Sequence, residues 1–100
     1  MSTPTADTTL RLRLYVAGNA PNSVRAIANA TTLCDAHFAG AYHLEIVDLL
    51  EAPDRAFTDG IVVTPTLLRM APSPAQRIIG NLSDTEQVLV VLSGRRRKHE

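Results

Sequence analysis

Cys34 is the one strong nucleophile in this sequence, and its surroundings decide what it can do. It falls midway along a stretch of helical periodicity, on the apolar stripe and far from any helix N-terminus that would favour a thiolate. A small buried hydrophobe suits that place better than a reactive thiol does. There is no second cysteine, hence no C-x-x-C and no internal disulfide, which fits a reducing, cytoplasmic setting. The three histidines, His37, His43 and His99, are scattered along the chain. A zinc site takes about four ligands at fixed spacing, so no metal is expected. Asp48 closes a predicted strand without a histidine or second carboxylate at workable spacing, and reads as a hydrogen-bonding or capping residue.

Two further stretches have the form of a site. LYVAGNAPNS, Leu14 to Ser23, is a strand running through a bend into a helix. In α/β proteins that turn often holds the reactive group. Here Gly18 and Asn19 end the strand and Pro21 launches the helix, but no sulfur, lysine or glycine cluster is present. Phosphate loops need several glycines to bring the backbone close, so no cofactor is expected. The second stretch, RRRKHE at 95–100, could meet nucleic acid or an acidic membrane through counterion release. No aromatic or further basic residue extends it, and the whole chain has zero net charge, so the preceding body is mildly acidic. The pattern reads as a solvated tail, with neither nucleic acid nor membrane as partner.

The elements that would position these residues follow from periodicity. Residues 1–9 are Thr-rich and lack apolar periodicity, which predicts a flexible lead-in. LRLRLYVAG alternates, with Leu10, Leu12 and Leu14 on a dry face and Arg11, Arg13 and Tyr15 on a wetter one. Pro21 fits the first turn of a helix, with Asn19, Asn22 or Ser23 as its cap. Val24, Ile27, Ala28, Thr31, Cys34 and Phe38, widened by Ala30 and Leu33, give that helix its apolar stripe. Gly40 is placed to stop it. Tyr42–Leu49 reads as a strand buried on most of both faces. At most a short helix fits before Gly60.

IVVTPTLLRM reads as a strand interrupted at Pro65, where a cis bond after Thr64 would solve the geometry. APSP is a turn and AQRIIG a hairpin partner. SDTE matches a capping box with Ser83 at the N-cap, followed by a helix on Val88, Leu89, Val91 and Leu92 that ends at Gly94. The order is β-α-β-(α)-β-β-α, an α/β single domain over 10–94 in a chain of 100 residues and 10.8 kDa. Aromatic residues make up 4% and Trp is absent, so the core must be aliphatic.

The turn after the first strand and TPT before the third together resemble the thioredoxin-like fold, which keeps a C-x-x-C in that turn facing a cis-proline. LYVAGNAPNSVRA, ATTLCDAHFAGAYHLEIVDLLEAP, VTPTL and RIIGNLSDTEQVLVVL, spanning about residues 10–92, resemble the KaiB family of small clock proteins more closely. That resemblance implies a non-enzymatic binding protein that associates with the KaiC-type ATPase ring in circadian or related rhythmic or stress signalling. It implies KaiA, or a histidine kinase with a KaiB-like sensor domain, as further partners. It also implies fold switching between a thioredoxin-like monomer and a ground-state dimer or tetramer whose C-terminal half is rearranged.

Arg25, Arg69 and Arg77 match basic interaction positions of the family, whereas Gln76 departs from one. Val91, Leu92 and Ser93 replace the family's GLD, and the tail is short and inverted in charge. These departures suggest a divergent member with a weakened ground-state oligomer. The rival reading is a thioredoxin-like oxidoreductase using the single cysteine.

Overall fold

A computed structural model describes residues 9–93. Residues 1–8 of the lead-in expected over residues 1–9, the helix stop at Gly94 and the basic tail lie outside that range. β1 (Leu10–Val16) alternates as its sequence requires: Leu10, Leu12 and Leu14 are buried while Arg11 is exposed. It is the hub of a four-stranded sheet in the order β2-β1-β3-β4. β2 (Tyr42–Asp48) lies parallel to β1, as the intervening helix α1 (Pro21–His37) demands. β3 (Thr66–Ala71) runs antiparallel on the other side of β1, and β4 (Gln76–Ile79) closes a hairpin with it. α2 (Asp54–Asp59) precedes β3, and α3 (Thr85–Ser93) ends the described chain.

The sheet has two unlike faces. On one, α1 and α3 pack Ala26, Ala30, Leu33, Cys34, Val88 and Leu92 onto the leucines of β1 and on Leu67 and Ile78. On the other, a smaller cluster of Tyr15, Val47 and Ile61 sits beside α2. The wetter face of β1 is therefore only half wet, because Tyr15 is fully buried there.

Four expectations need correction. The buried stripe of α1 runs through Ser23, Ala26, Ala30, Leu33 and Cys34, while Val24 is 51% exposed. Small residues let the helix approach the sheet closely, so it turns its alanines inward and Val24 outward. β2 is an edge strand and not buried on both faces: of its residues only Val47 is buried. Ile61–Val63 lie outside β3, which begins at Thr66 immediately after Pro65. Finally, α3 is capped by Asp84, whose Oδ1 accepts the Gln87 N–H at 3.2 Å, and not by Ser83. Ser83 instead donates its N–H to Asn81 Oδ1 at 3.1 Å.

The loop into α3 is clamped onto α1. Asn29 Nδ2 donates to the Asn81 carbonyl at 2.8 Å, and Leu82 adopts a left-handed φ of 66° with its side chain in the core.

Candidate functional site

The β1–α1 turn is a braced structural feature. Gly18 has φ +55°, and its N–H donates to Asp48 Oδ1 at 3.0 Å. The same oxygen accepts the Leu50 N–H at 2.9 Å, so one carboxylate ties the turn to the end of β2. Asp48 thus has the hydrogen-bonding role its sequence context indicates. Ser23 Oγ accepts the Ala17 N–H at 3.1 Å, reaching back over the turn and not capping the helix. The N-cap is Ala20, which has no side-chain hydrogen bond, with Pro21 next in the first turn. Asn19 and Asn22 are exposed. The Asp48 and Ser23 side chains that reach the turn bond to its backbone.

Cys34 lies deep in α1, fully buried. Desolvation, and then the nearby Asp35 carboxylate, push its thiol up to about 11. At neutral pH that sulfur is a protonated thiol with no solvent access, the opposite of a redox nucleophile. Among the described residues no group of three or more His, Cys, Asp or Glu side chains is placed to hold a metal ion, and no helix is long and apolar enough to cross a membrane. The Thr64–Pro65 peptide is cis, as are Ala71–Pro72 and Ser73–Pro74. Pro65 is buried, and its carbonyl accepts the Gly80 N–H at 2.9 Å.

The three arginines singled out by sequence do not converge. Arg25 is exposed on α1. Arg77 is exposed on β4, opposite Leu68 in the register and so on the α2 side of the sheet. Its Nη1 donates to the Gly60 carbonyl at 3.1 Å, joining the end of α2 to the sheet edge. Arg69, two residues from Leu67, faces the opposite side and is 2% exposed. Its Nη2 donates to the Pro74 carbonyl at 2.8 Å, while its buried Nε has no partner. A guanidinium so covered stabilises the β3–β4 turn and does not face solvent.

What sequence reading missed is the surface around α2. Phe57 and Val62 are 91% and 92% exposed, and Leu50, Val63 and Ile79 are exposed as well. Pro53, Ala56, Phe57, Gly60, Ile61 and Val62 line a shallow apolar cleft of about 280 Å³. Gly60, with φ +70°, caps α2 in the left-handed conformation and turns Ile61 inward and Val62 outward. The apolar run IVV in the sequence carries the relevant signal, but it imitates a strand.

Beneath this surface lies a polar network. Tyr15 donates its hydroxyl to Asp59 Oδ2 at 2.6 Å, and Arg55 Nε donates to the same oxygen at 3.2 Å. Arg13 Nε donates to Glu45 Oε1 at 2.8 Å, and Arg13 Nη1 donates to the Tyr15 hydroxyl oxygen at 3.3 Å. The Tyr15 hydroxyl foremost, and then Arg55 and Arg13, hold the Asp59 carboxyl below the usual carboxylate range. Burial, together with the Asp59 carboxylate, raises the Tyr15 phenol. The arrangement can fix a short helix and present apolar side chains beside it.

Comparison with known proteins gives this geometry a context. A family model described as the KaiB domain matches residues 13–94. The chain is 49% identical over 81 residues to a circadian clock oscillator protein KaiB from Gloeothece citriformis, covering 81% of this chain and 76% of that protein. It is also 49% identical over 81 residues to the circadian clock protein KaiB3 of a Synechocystis species, with 81% and 79% coverage. Among solved structures, the N-terminal domain of Synechococcus elongatus SasA superposes with a TM-score of 0.75 at 22% identity, over 99% of this chain and 97% of that one. Mitochondrial thioredoxin 3 from Saccharomyces cerevisiae superposes at 0.70 and 16% identity, over 87% and 79%. The fold is thioredoxin-like.

Proposed function

The chain belongs to the KaiB family, and from that premise we propose that it is a non-enzymatic regulatory protein that docks on a KaiC-type ATPase ring in circadian or related rhythmic or stress signalling. The observation that carries this reading is the apolar surface at Phe57 and Val62, each more than nine-tenths exposed beside an apolar cleft. A scattered exposed leucine is ordinary, but a large aromatic and several aliphatic side chains grouped in one segment mark a surface that a partner covers. An aromatic anchor with a charged rim is the arrangement that interfaces use for affinity and register. Arg77 supplies a rim charge on the same side of the sheet, while Arg25 is a separate exposed charge on α1, which packs on the opposite face. Arg69 supports the β3–β4 turn behind them.

KaiA, or a histidine kinase carrying a KaiB-like sensor domain, is the second class of partner in this reading. The thioredoxin-like arrangement is the docking-competent state, and a dimer or tetramer with a rearranged C-terminal half is its resting counterpart. Cys34 weighs against the oxidoreductase alternative, since a buried thiol held up to about 11 does not attack a disulfide at neutral pH.

The test is co-elution. The full chain is mixed with a purified hexameric KaiC-type ATPase and ATP, and complexes are separated after incubations running from minutes to overnight. Long incubation allows for slow conformational steps. A ring-bound species that grows with time is expected. No complex at any time point would overturn the docking reading, and disulfide reduction abolished by Cys34→Ala would overturn the non-enzymatic one.

A further inference from the structure

α2 poses a physical problem. It is six residues long, and a helix that short does not hold itself together in water. None of its residues is buried, and its largest side chain points into solvent. The residue that follows the cap, Ile61, contributes one apolar anchor against Tyr15 and Val47. The α2 side chains that bond to sheet residues, Arg55 and Asp59, are both charged.

Those charges close a ring. Asp59 Oδ2 takes the Tyr15 hydroxyl at 2.6 Å and Arg55 Nε at 3.2 Å, and lies 3.5 Å from Arg13 Nη1. Glu45 takes Arg13 at 2.8 Å and lies 4.0 Å from Arg55 Nη1. Two carboxylates therefore share the same two guanidiniums around one buried phenol. Exposed ion pairs usually contribute little. This set differs because the Asp59 side chain is only 14% exposed, Tyr15 is fully buried, and hydrogen bonds to a charged acceptor are the strong kind.

The ring also has a direction. Arg13, Tyr15 and Glu45 stand on paired positions of β1 and β2, in register with one another and with Val47. Arg55 and Asp59 stand one helical turn apart at the two ends of α2. The framework side is held by paired strands, whereas the helix side is six residues long with none of them buried.

We propose that this network is a latch that positions α2, with Tyr15 as its anchor and Asp59 as its hub, and thereby sets how Phe57 and Val62 are presented. The inference rests on the reading of that surface as a docking site, and its test separates the two. Asp59 and Tyr15 are positioning residues: the sheet holds Tyr15, Tyr15 holds Asp59, and Asp59 holds the helix.

Amide hydrogen exchange on the full chain tests it, with Tyr15→Phe and Asp59→Ala as variants and Phe57→Ala as the control. Tyr15→Phe keeps the buried ring and removes only the hydroxyl. The amides of residues 54–61 are expected to exchange about tenfold faster in both variants, while β1 and α1 amides keep their protection. Phe57→Ala is expected to leave exchange unchanged, since its side chain is 91% exposed. In the ring co-elution assay, Tyr15→Phe and Asp59→Ala should weaken binding through the loosened helix, and Phe57→Ala should weaken it without loosening. Selective acceleration at 54–61 with no ring binding even by the parent chain would sink the docking reading and leave the latch standing. Unchanged exchange at 54–61, or equal acceleration throughout the chain, overturns the latch, because uniform acceleration is the signature of a general loss of stability.

Discussion

At Gly18 two effects compete, and their sizes can be separated. A Cβ there would lie 2.7 Å from Leu50 Cδ1, and the backbone sits at φ +55°. Leu50 is 70% exposed, so its methyl can swing away at little cost. The backbone cannot, because Gly18 N–H is held by Asp48, and a left-handed non-glycine residue costs about 1–2 kcal/mol. Gly18→Ala should therefore destabilise the fold by about 1–2 kcal/mol in urea unfolding. The same loss should persist in a Leu50→Ala background; a loss that vanishes there would assign the effect to the clash. Cys34 makes the opposite kind of statement. With its thiol buried and raised to about 11, labelling by a thiol reagent at pH 8 should occur only as fast as the chain opens. Its contribution to stability is fully present below pH 9, where the thiol is protonated in both folded and unfolded chains. It is lost as pH rises from about 9 toward about 11. Fast, stoichiometric labelling of the native protein would contradict the burial.

Among the elements, α2 carries the sharpest expectation. Asp59 is held below its ordinary value of 3.8, first by the Tyr15 hydroxyl and then by Arg55 and Arg13, with Glu45 the other carboxylate in the ring. A lowered carboxyl contributes stability that is present above the unfolded value and is lost as pH falls below it through the folded one. Circular dichroism and amide exchange between pH 6 and pH 3 should show the 54–61 segment loosening below about pH 4, ahead of the sheet. In Asp59→Asn the segment should already be loose at pH 6, with the selective acid step gone. How much of each element was legible depended on its neighbours. β1 and β4 and the hairpin could be read because alternation and turn residues are local properties. α1 was found in place with its dry stripe rotated, since apolar size favours Val24 inward and close packing favours Ser23, Ala26 and Ala30. The run Ile61–Val63 imitates a strand by composition, but it lies between the left-handed cap at Gly60 and Pro65, ahead of β3.

At the scale of the molecule, the α1/α3 face carries the larger apolar core and the α2 face combines a small cluster with charge and exposed apolar surface. That asymmetry sorts the effects of mutation. Leu12→Ala and Leu14→Ala, in fully buried positions, should each cost about 2–5 kcal/mol of stability. Phe57→Ser and Val62→Ser should change stability by less than about 0.5 kcal/mol, because both side chains already stand in water. If the α2 face docks on the ring, the same two substitutions should weaken association by about tenfold or more, equivalent to about 1.4 kcal/mol. Paired measurement of thermal midpoints and ring binding decides the matter. Substitutions that lower both together would show that the exposed side chains are part of the fold after all.

The sequence by itself determined the element order, the parallel β1–β2 pair joined by a helix, the mainly aliphatic core and the thiol-free turn. Each of these follows from periodicity, composition and capping within a few residues. Tertiary structure alone decided that Tyr15 is buried, that Arg69 is covered while Arg77 reaches Gly60, and that α2 carries the exposed surface. The physical reason is distance along the chain. The Tyr15–Asp59 bond joins residues 44 apart, and no local pattern tells a phenol on β1 which carboxylate will fold back onto it.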